Sequence, residues 1–146
     1  MKDNHRTSVS FVSGPGPVQD AAEAAAKKAL ELIDMSQHQG QHPRFGAMDV
    51  CPLVPVAGIS MEETVEYART LAKRLGEEAG MTIYCYEEAA LCPGRRNLAH
   101  VRAGEYEGLA ARLATPEGAP DFGPSEFNPR AGATAVSARD LYRIHI

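Results

Sequence analysis

SMEETVEYARTLAKRLGEEAGMTIYCY, residues 60–86, carries a complete helix-to-strand unit in one run. Ser60 and Glu63 stand three apart, the spacing of a capping box that opens a helix. Met61, Val65, Ala68, Leu71, Ala72 and Leu75 then recur at helical spacing and form one apolar face. Gly80 is placed to end that helix, because glycine readily takes the left-handed conformation that closes a last turn. Residues 81–86 alternate, with Ile83 and Cys85 opposite Thr82, Tyr84 and Tyr86, which is the period of a strand.

Upstream, residues 7–12 read as a short strand with Val9 and Phe11 on one face and Ser8 and Ser10 on the other. Gly14-Pro15-Gly16-Pro17 turns the chain into a helix running to about residue 35, with Pro17 in its first turn. Val18, Ala22, Ala25, Ala29, Leu32 and Ile33 make its apolar stripe, and Glu23 and Lys27 pair four apart. Residues 36–46 lose all periodicity and read as a loop. Residues 47–56 read as a strand in which Pro52 and Pro55 cannot donate ladder hydrogen bonds, so they signal an edge, a bulge or an early end. Downstream come a turn at Cys92-Pro93-Gly94, a helix around residues 102–113 and a long glycine- and proline-rich loop. The chain closes on Tyr142, Ile144 and Ile146 alternating with Leu141, Arg143 and His145, a further strand. The order βαβαβ, short helix, long loop, β predicts a sheet covered by helices, and 146 residues make one domain of it.

Composition narrows the function. Hydrophobic residues at 44% and charged residues at 23% suit a globular fold, and the apolar runs are only a few residues long, too short for a membrane span. The chain does not open on a basic stretch followed by an apolar core, so no secretory signal is expected. A net charge of −4, no Trp and only 6% aromatics argue against a general nucleic-acid binder. Cys51, Cys85 and Cys92 form no C-x-x-C and are odd in number, which argues against a disulfide framework and for a reducing, cytoplasmic setting. Cys51 and Cys85 read as packing residues of strands. The 13 glycines and 10 prolines cluster in a few loops, the segments on which small domains bind ligands.

Two loops hold the candidate chemistry. His38-Gln39-Gly40-Gln41-His42-Pro43-Arg44-Phe45-Gly46 sets two histidines four apart. Three readings stand side by side. One is a metal pair, against which Gly40 and Pro43 break the helix it needs and H-E-x-x-H is missing. Another is a loop histidine bonded to backbone, and the third an acid/base histidine held by a stiff proline beside an arginine. In residues 120–134, glycines let backbone N–H groups approach a ligand, Phe127 can stack on a planar ring and Arg130 can pair with a carboxylate. The same loop also reads as an Ω-like segment packed on itself. The chain contains neither a P-loop nor a nucleophile elbow. His5, His100 and His145 are isolated and read as surface or capping residues.

Ile33-Asp34-Met35 followed by His38-x-Gly40-x-His42-Pro43-Arg44-x-Gly46-Ala47-x-Asp49-Val50-Cys51-Pro52 resembles the glutamate formimidoyltransferase family, the formiminotransferase part of formimidoyltransferase-cyclodeaminase. Arg102-Ala103-Gly104-Glu105-Tyr106-Glu107, Pro120-Asp121-Phe122-Gly123-Pro124 and Gly132-Ala133-Thr134 agree in order across nearly the whole chain. The resemblance implies an α+β fold: a two-layer sandwich with a ferredoxin-like mixed sheet and helices on one face. It implies formimino transfer from N-formimino-L-glutamate to tetrahydrofolate, releasing glutamate, as a step of histidine breakdown and one-carbon metabolism. Tetrahydrofolate would be the co-substrate, with no metal. The acid/base histidine of the family matches His42. The folate-binding loop matches Gly123, Pro124, Ser125, Glu126, Phe127, Asn128, Pro129, Arg130, Ala131 and Gly132.

The same resemblance implies that residues 1–146 are most of an N-terminal subdomain, without the family's first strand, helix and strand and without an acidic residue near the active site. The second subdomain, with its functional arginine, is absent on this reading. Partners to look for are a homodimer, favoured by exposed strand edges, a second subdomain and a cyclodeaminase. Neither nucleic acid nor membrane is expected. Beside the enzyme stand the readings of a folate-binding or partner-dependent module without catalysis and of an unrelated regulatory domain.

Overall fold

The computed structural model describes residues 5–40 and 43–141. Helix α1 (Pro15–Leu32), strand β1 (Val50–Leu53), helix α2 (Met61–Glu78), strand β2 (Thr82–Glu87), short helices α3 (Leu98–Val101) and α4 (Glu105–Leu113) and strand β3 (Ala133–Ala138) follow in chain order. Single 3₁₀ turns lie at Met35–Gln37 and Pro93–Arg95. Helix α2 starts on the capping box its sequence announces: the Ser60 hydroxyl accepts from the Glu63 N–H at 3.1 Å, and the Glu63 carboxylate accepts from the Ser60 N–H at 3.4 Å. This satisfies two N–H groups that a helix start otherwise leaves open.

The sheet runs in the order β1-β3-β2, and both pairings are parallel, with Val50 and Tyr84 flanking Ala135 from either side. Successive residues of β2 face opposite ways. Ile83 and Cys85 meet Ala68, Leu71, Ala72 and Leu75 of α2 together with Val136 and Ala138, while Ala22 and Ala26 bring α1 onto α2. On the other face Tyr84 and Tyr86 pack with Phe45, Val101, Leu109, Leu113, Ala133 and Ala135. The alanines of β3 leave the room these rings fill.

The α+β class holds, with corrections to its details. The sheet was expected to be mixed, yet its three strands among the described residues are all parallel. Helices were expected on one face, yet α3 and α4 close the second, because Tyr84 and Tyr86 are too large and apolar to leave to water. Residues 7–12 form no strand: Val9 and Val12 are 75% and 80% exposed, and the alternating pattern finds no neighbour to pair with among the described residues. The expected strand over 47–56 shortens to Val50–Leu53 on the sheet edge, where Pro52 does least harm. In α1 the buried positions are Gln19, Ala22, Glu23 and Ala26, and Leu32 at the end of the expected stripe is exposed. The expected helix over 102–113 breaks at Gly104 and Glu105, which both take left-handed φ, of 82° and 54°. The closing alternation at Tyr142, Arg143, Ile144, His145 and Ile146 lies outside the described residues.

Strand β3 is the element that periodicity misses. Ala-Thr-Ala-Val-Ser-Ala is buried at every position, so it carries no alternation to read. The outer edge of β2 is covered by residues 121–122: Ile83 exchanges hydrogen bonds with Asp121 and Phe122, and the Cys85 N–H donates to the Asp121 carboxylate at 2.7 Å. Arg95 holds that carboxylate from its far side at 2.8 Å. Among the described residues no helix is long and apolar enough to cross a membrane.

Candidate functional site

Both loops singled out in the sequence lie at the end of the sheet where its parallel strands begin. Residues 43–49 lead into β1 and residues 123–132 into β3. They are bonded to each other. The Ala47 N–H donates to the Ala131 carbonyl at 2.8 Å, and the Ala133 N–H to the Phe45 carbonyl at 3.1 Å. The crossing admits only glycines: a Cβ on Gly46 would stand 2.1 Å from the Ala133 carbonyl oxygen, and one on Gly132, whose φ is 66°, would stand 2.4 Å from that of Phe45. The far end of the second loop is tied to β2, where the Thr82 hydroxyl donates to the Pro124 carbonyl at 2.9 Å.

Within residues 123–132, the Asn128 side chain accepts from the N–H groups of Arg130 at 3.0 Å and Ala131 at 3.3 Å, a local turn that explains an Asn at this place. Arg130, read as a carboxylate partner, caps the end of α1: its guanidinium donates to the carbonyls of Glu31 at 2.7 Å and Leu30 at 3.3 Å, with Asp34 at 3.7 Å. This is where a cation neutralises the open carbonyls of a helix. Asp34 is held below the usual carboxylate range, first by the Ser36 hydroxyl, which donates to it at 2.6 Å. Gly123, Pro124, Ser125, Glu126, Asn128, Pro129 and Arg130 are exposed, whereas Phe127 is half-buried against the core on the Tyr84 and Phe45 face of the sheet.

Helix α4 joins the two loops. The Tyr106 N–H donates to the Arg44 carbonyl at 3.0 Å, its hydroxyl donates to the Pro129 carbonyl at 2.5 Å, and its ring lies 5.7 Å from that of Phe127. The Arg44 guanidinium stacks over Tyr106 at 4.9 Å and pairs with Glu107. Gln39, Gly40, Arg44, Glu105 and Glu107 line a cleft of about 230 Å³ beside this junction. His38 donates its N–H to the Met35 carbonyl at 3.2 Å, and its ring lies edge-on to His5 at 5.7 Å. His42 and Gln41 lie outside the described residues. Among the described residues no group of three His, Cys, Asp or Glu side chains is placed to hold a metal ion. Burial pushes the Cys51 thiol up to about 11 and that of Cys85 to about 12, in keeping with packing roles.

Three charged residues from distant parts of the chain converge beside the first loop, and spacing alone does not reveal them. Asp49 accepts from Arg6 and from Arg102, both at 2.7 Å. The same two guanidiniums reach the Pro43 carbonyl, at 3.3 Å and 3.5 Å.

Residues 1–139 match the family described as formiminotransferase domain, N-terminal subdomain. The formimidoyltransferase-cyclodeaminase of Gallus gallus is 53% identical over 135 residues, covering 92% of this chain and 25% of that protein. The glutamate formimidoyltransferase of Thermoplasma acidophilum is 47% identical over 144 residues, covering 97% of this chain and 47% of the relative. That of Streptococcus pyogenes serotype M1 is 43% identical over 136 residues, covering 93% and 46%. The chain thus spans a quarter to a half of the length of the curated relatives it matches.

Proposed function

Because this chain belongs to the family of the formiminotransferase domain, N-terminal subdomain, we propose that it supplies the acid/base group and the folate loop for formimino transfer from N-formimino-L-glutamate to tetrahydrofolate. His42 is the acid/base residue, and residues 123–132 bind the folate. The reading includes a second transferase subdomain that completes the cleft, a cyclodeaminase that takes the product onward, a cytoplasmic setting and a chain that pairs with a second copy.

The chemistry asks for two proton movements. As N5 of the folate attacks the amidine carbon it must lose a proton. As the bond from that carbon to the glutamate nitrogen breaks, the nitrogen must gain one. A single imidazole does both in turn, first as base and then as acid, and the products are 5-formiminotetrahydrofolate and glutamate. The protonated amidine already carries the positive charge that makes its carbon electrophilic. What the protein adds is the alignment of two small molecules.

The observation that supports this reading is the direct bonding of the two loops, Ala47 to Ala131 and Ala133 to Phe45. A histidine loop and a folate loop have to lie side by side for one proton carrier to serve a folate nitrogen. The test is a spectrophotometric assay for 5-formiminotetrahydrofolate, with the chain alone and with the second subdomain supplied, beside calorimetric binding of tetrahydrofolate. His42→Ala should remove most turnover and leave folate affinity nearly intact. Near-normal turnover in that variant would end the acid/base assignment. Folate binding by the unaltered chain without turnover in either assay would make it a binding module.

A further inference from the structure

We infer that Asp49, with Arg102 and Arg6, is a positioning clamp that fixes the Pro43 carbonyl, one peptide bond beyond His42, to the frame of the sheet. The inference rests on the formimino-transfer reading and adds residues to it.

Asp49 stands one residue before β1, and its backbone carbonyl accepts from Ala135 of the central strand at 3.0 Å, so its position is that of the sheet itself. Its side chain is only 12% exposed. One carboxylate oxygen takes both guanidiniums, each at 2.7 Å. The other oxygen is buried and has no hydrogen-bond partner among the described residues. An ion pair kept for stability alone is a poor bargain at this depth, and an unmet buried acceptor makes it poorer. The arrangement makes sense through what the guanidiniums do next: the same Nη1 atom of each that meets Asp49 also points at the Pro43 carbonyl. Three segments far apart in sequence, around residues 6, 49 and 102, are thereby spent on one backbone oxygen.

The following residue is held as well. Arg44 is gripped through its carbonyl by the Tyr106 N–H and through its side chain by Glu107 and the Tyr106 ring. The chain leaving the acid/base histidine is thus fixed at two successive residues, by the sheet and by α4. A proton carrier that serves two nitrogens in turn needs that constancy, since a displacement of about 1 Å can cost on the order of 100-fold in rate.

The test compares Asp49→Asn, Arg102→Gln and Arg102→Lys in the full chain, assayed for transfer with the second subdomain supplied. Backbone hydrogen exchange is followed in the peptide over residues 38–49, with residues 61–78 as internal control. Asp49→Asn should raise exchange in 38–49 by about tenfold and leave the control unchanged. It should lower kcat by roughly 30-fold, with KM for either substrate within about threefold. Arg102→Lys, which keeps the charge, should retain more turnover than Arg102→Gln. If Asp49→Asn unfolds the control peptide too, the two Arg102 variants carry the same comparison. Unchanged exchange in 38–49, a kcat within about threefold of the unaltered chain, or equal turnover by the two Arg102 variants overturns the clamp. If the unaltered chain transfers no formimino group, the function reading fails by itself and the exchange result alone decides whether the loop is clamped.

Discussion

Tyr106 donates its hydroxyl to the carbonyl of Pro129 at 2.5 Å, and so ties helix α4 to the tip of the loop that leads into β3. The same side chain carries the Arg44 guanidinium on its ring. One residue therefore touches both loops of the candidate site.

Tyr106→Phe removes the hydroxyl and keeps the ring. The expected loss is about 1 kcal/mol of stability, the usual net worth of one hydrogen bond. The larger consequence is for the loop, whose tip loses its tether. Tetrahydrofolate affinity should fall several-fold while the Arg44 stack persists, which paired calorimetry and urea unfolding would show.

Glycine at 132 is irreplaceable in this geometry. Gly132→Ala drives a Cβ against the Phe45 carbonyl at a backbone φ of 66°, and should destabilise the chain by on the order of 3 kcal/mol or more. Gly108 makes the contrast, because it lies within α4 and a Cβ there meets nothing within 4 Å. Gly108→Ala should stabilise by about 1 kcal/mol, on helix propensity alone. Urea midpoints of the two variants must move in opposite directions.

Thiol reactivity should sort the three cysteines. Cys92 is exposed, whereas burial raises Cys51 to about 11 and Cys85 to about 12. At pH 8 a disulfide reagent should label one thiol fast in the native chain and all three after unfolding. A second fast native thiol would mean that the sheet opens readily near β1 or β2.

Acid should loosen the hand-over from α1 to the first loop. Asp34 has its carboxylate held below the ordinary value, chiefly by Ser36. Its contribution to stability is therefore full above the unfolded-state value and is lost as pH falls through the lower native one. The Ser36 amide, which donates to Asp34 at 3.0 Å, should shift in an NMR titration below about pH 4. Asp34→Asn should abolish that shift.

The α2–β2 unit is legible because each of its signals is local: a cap at Ser60, a helical stripe, a stop at Gly80 and an alternation after it. Strand β3 is not, since a strand buried on both faces needs neither alternation nor large side chains, and alanine is a poor strand former by itself. Residues 7–12 mislead for the opposite reason. They alternate well, but alternation promises a strand only where a neighbour exists. At the site, motif and glycine content locate both loops. The convergence of Arg6, Asp49 and Arg102 is invisible along the chain, because it is made by the crossing of segments that share no spacing.

The order β1-β3-β2 has a kinetic consequence. Among the strands of the described residues, β1 and β2 do not touch; the only strand each pairs with is β3, which follows both in the chain. No rung between these strands can close until residues 133–138 have slid between them, so β1 and β2 are both made before the strand they pair with exists. Both strand-to-strand pairings span a long stretch of sequence, 51 positions from Thr82 to Ala133 and 85 from Val50 to Ala135. Such closures are entropically slow. The sheet should close in one step, in which the loop ahead of β3 is drawn into register together with the strand that follows it.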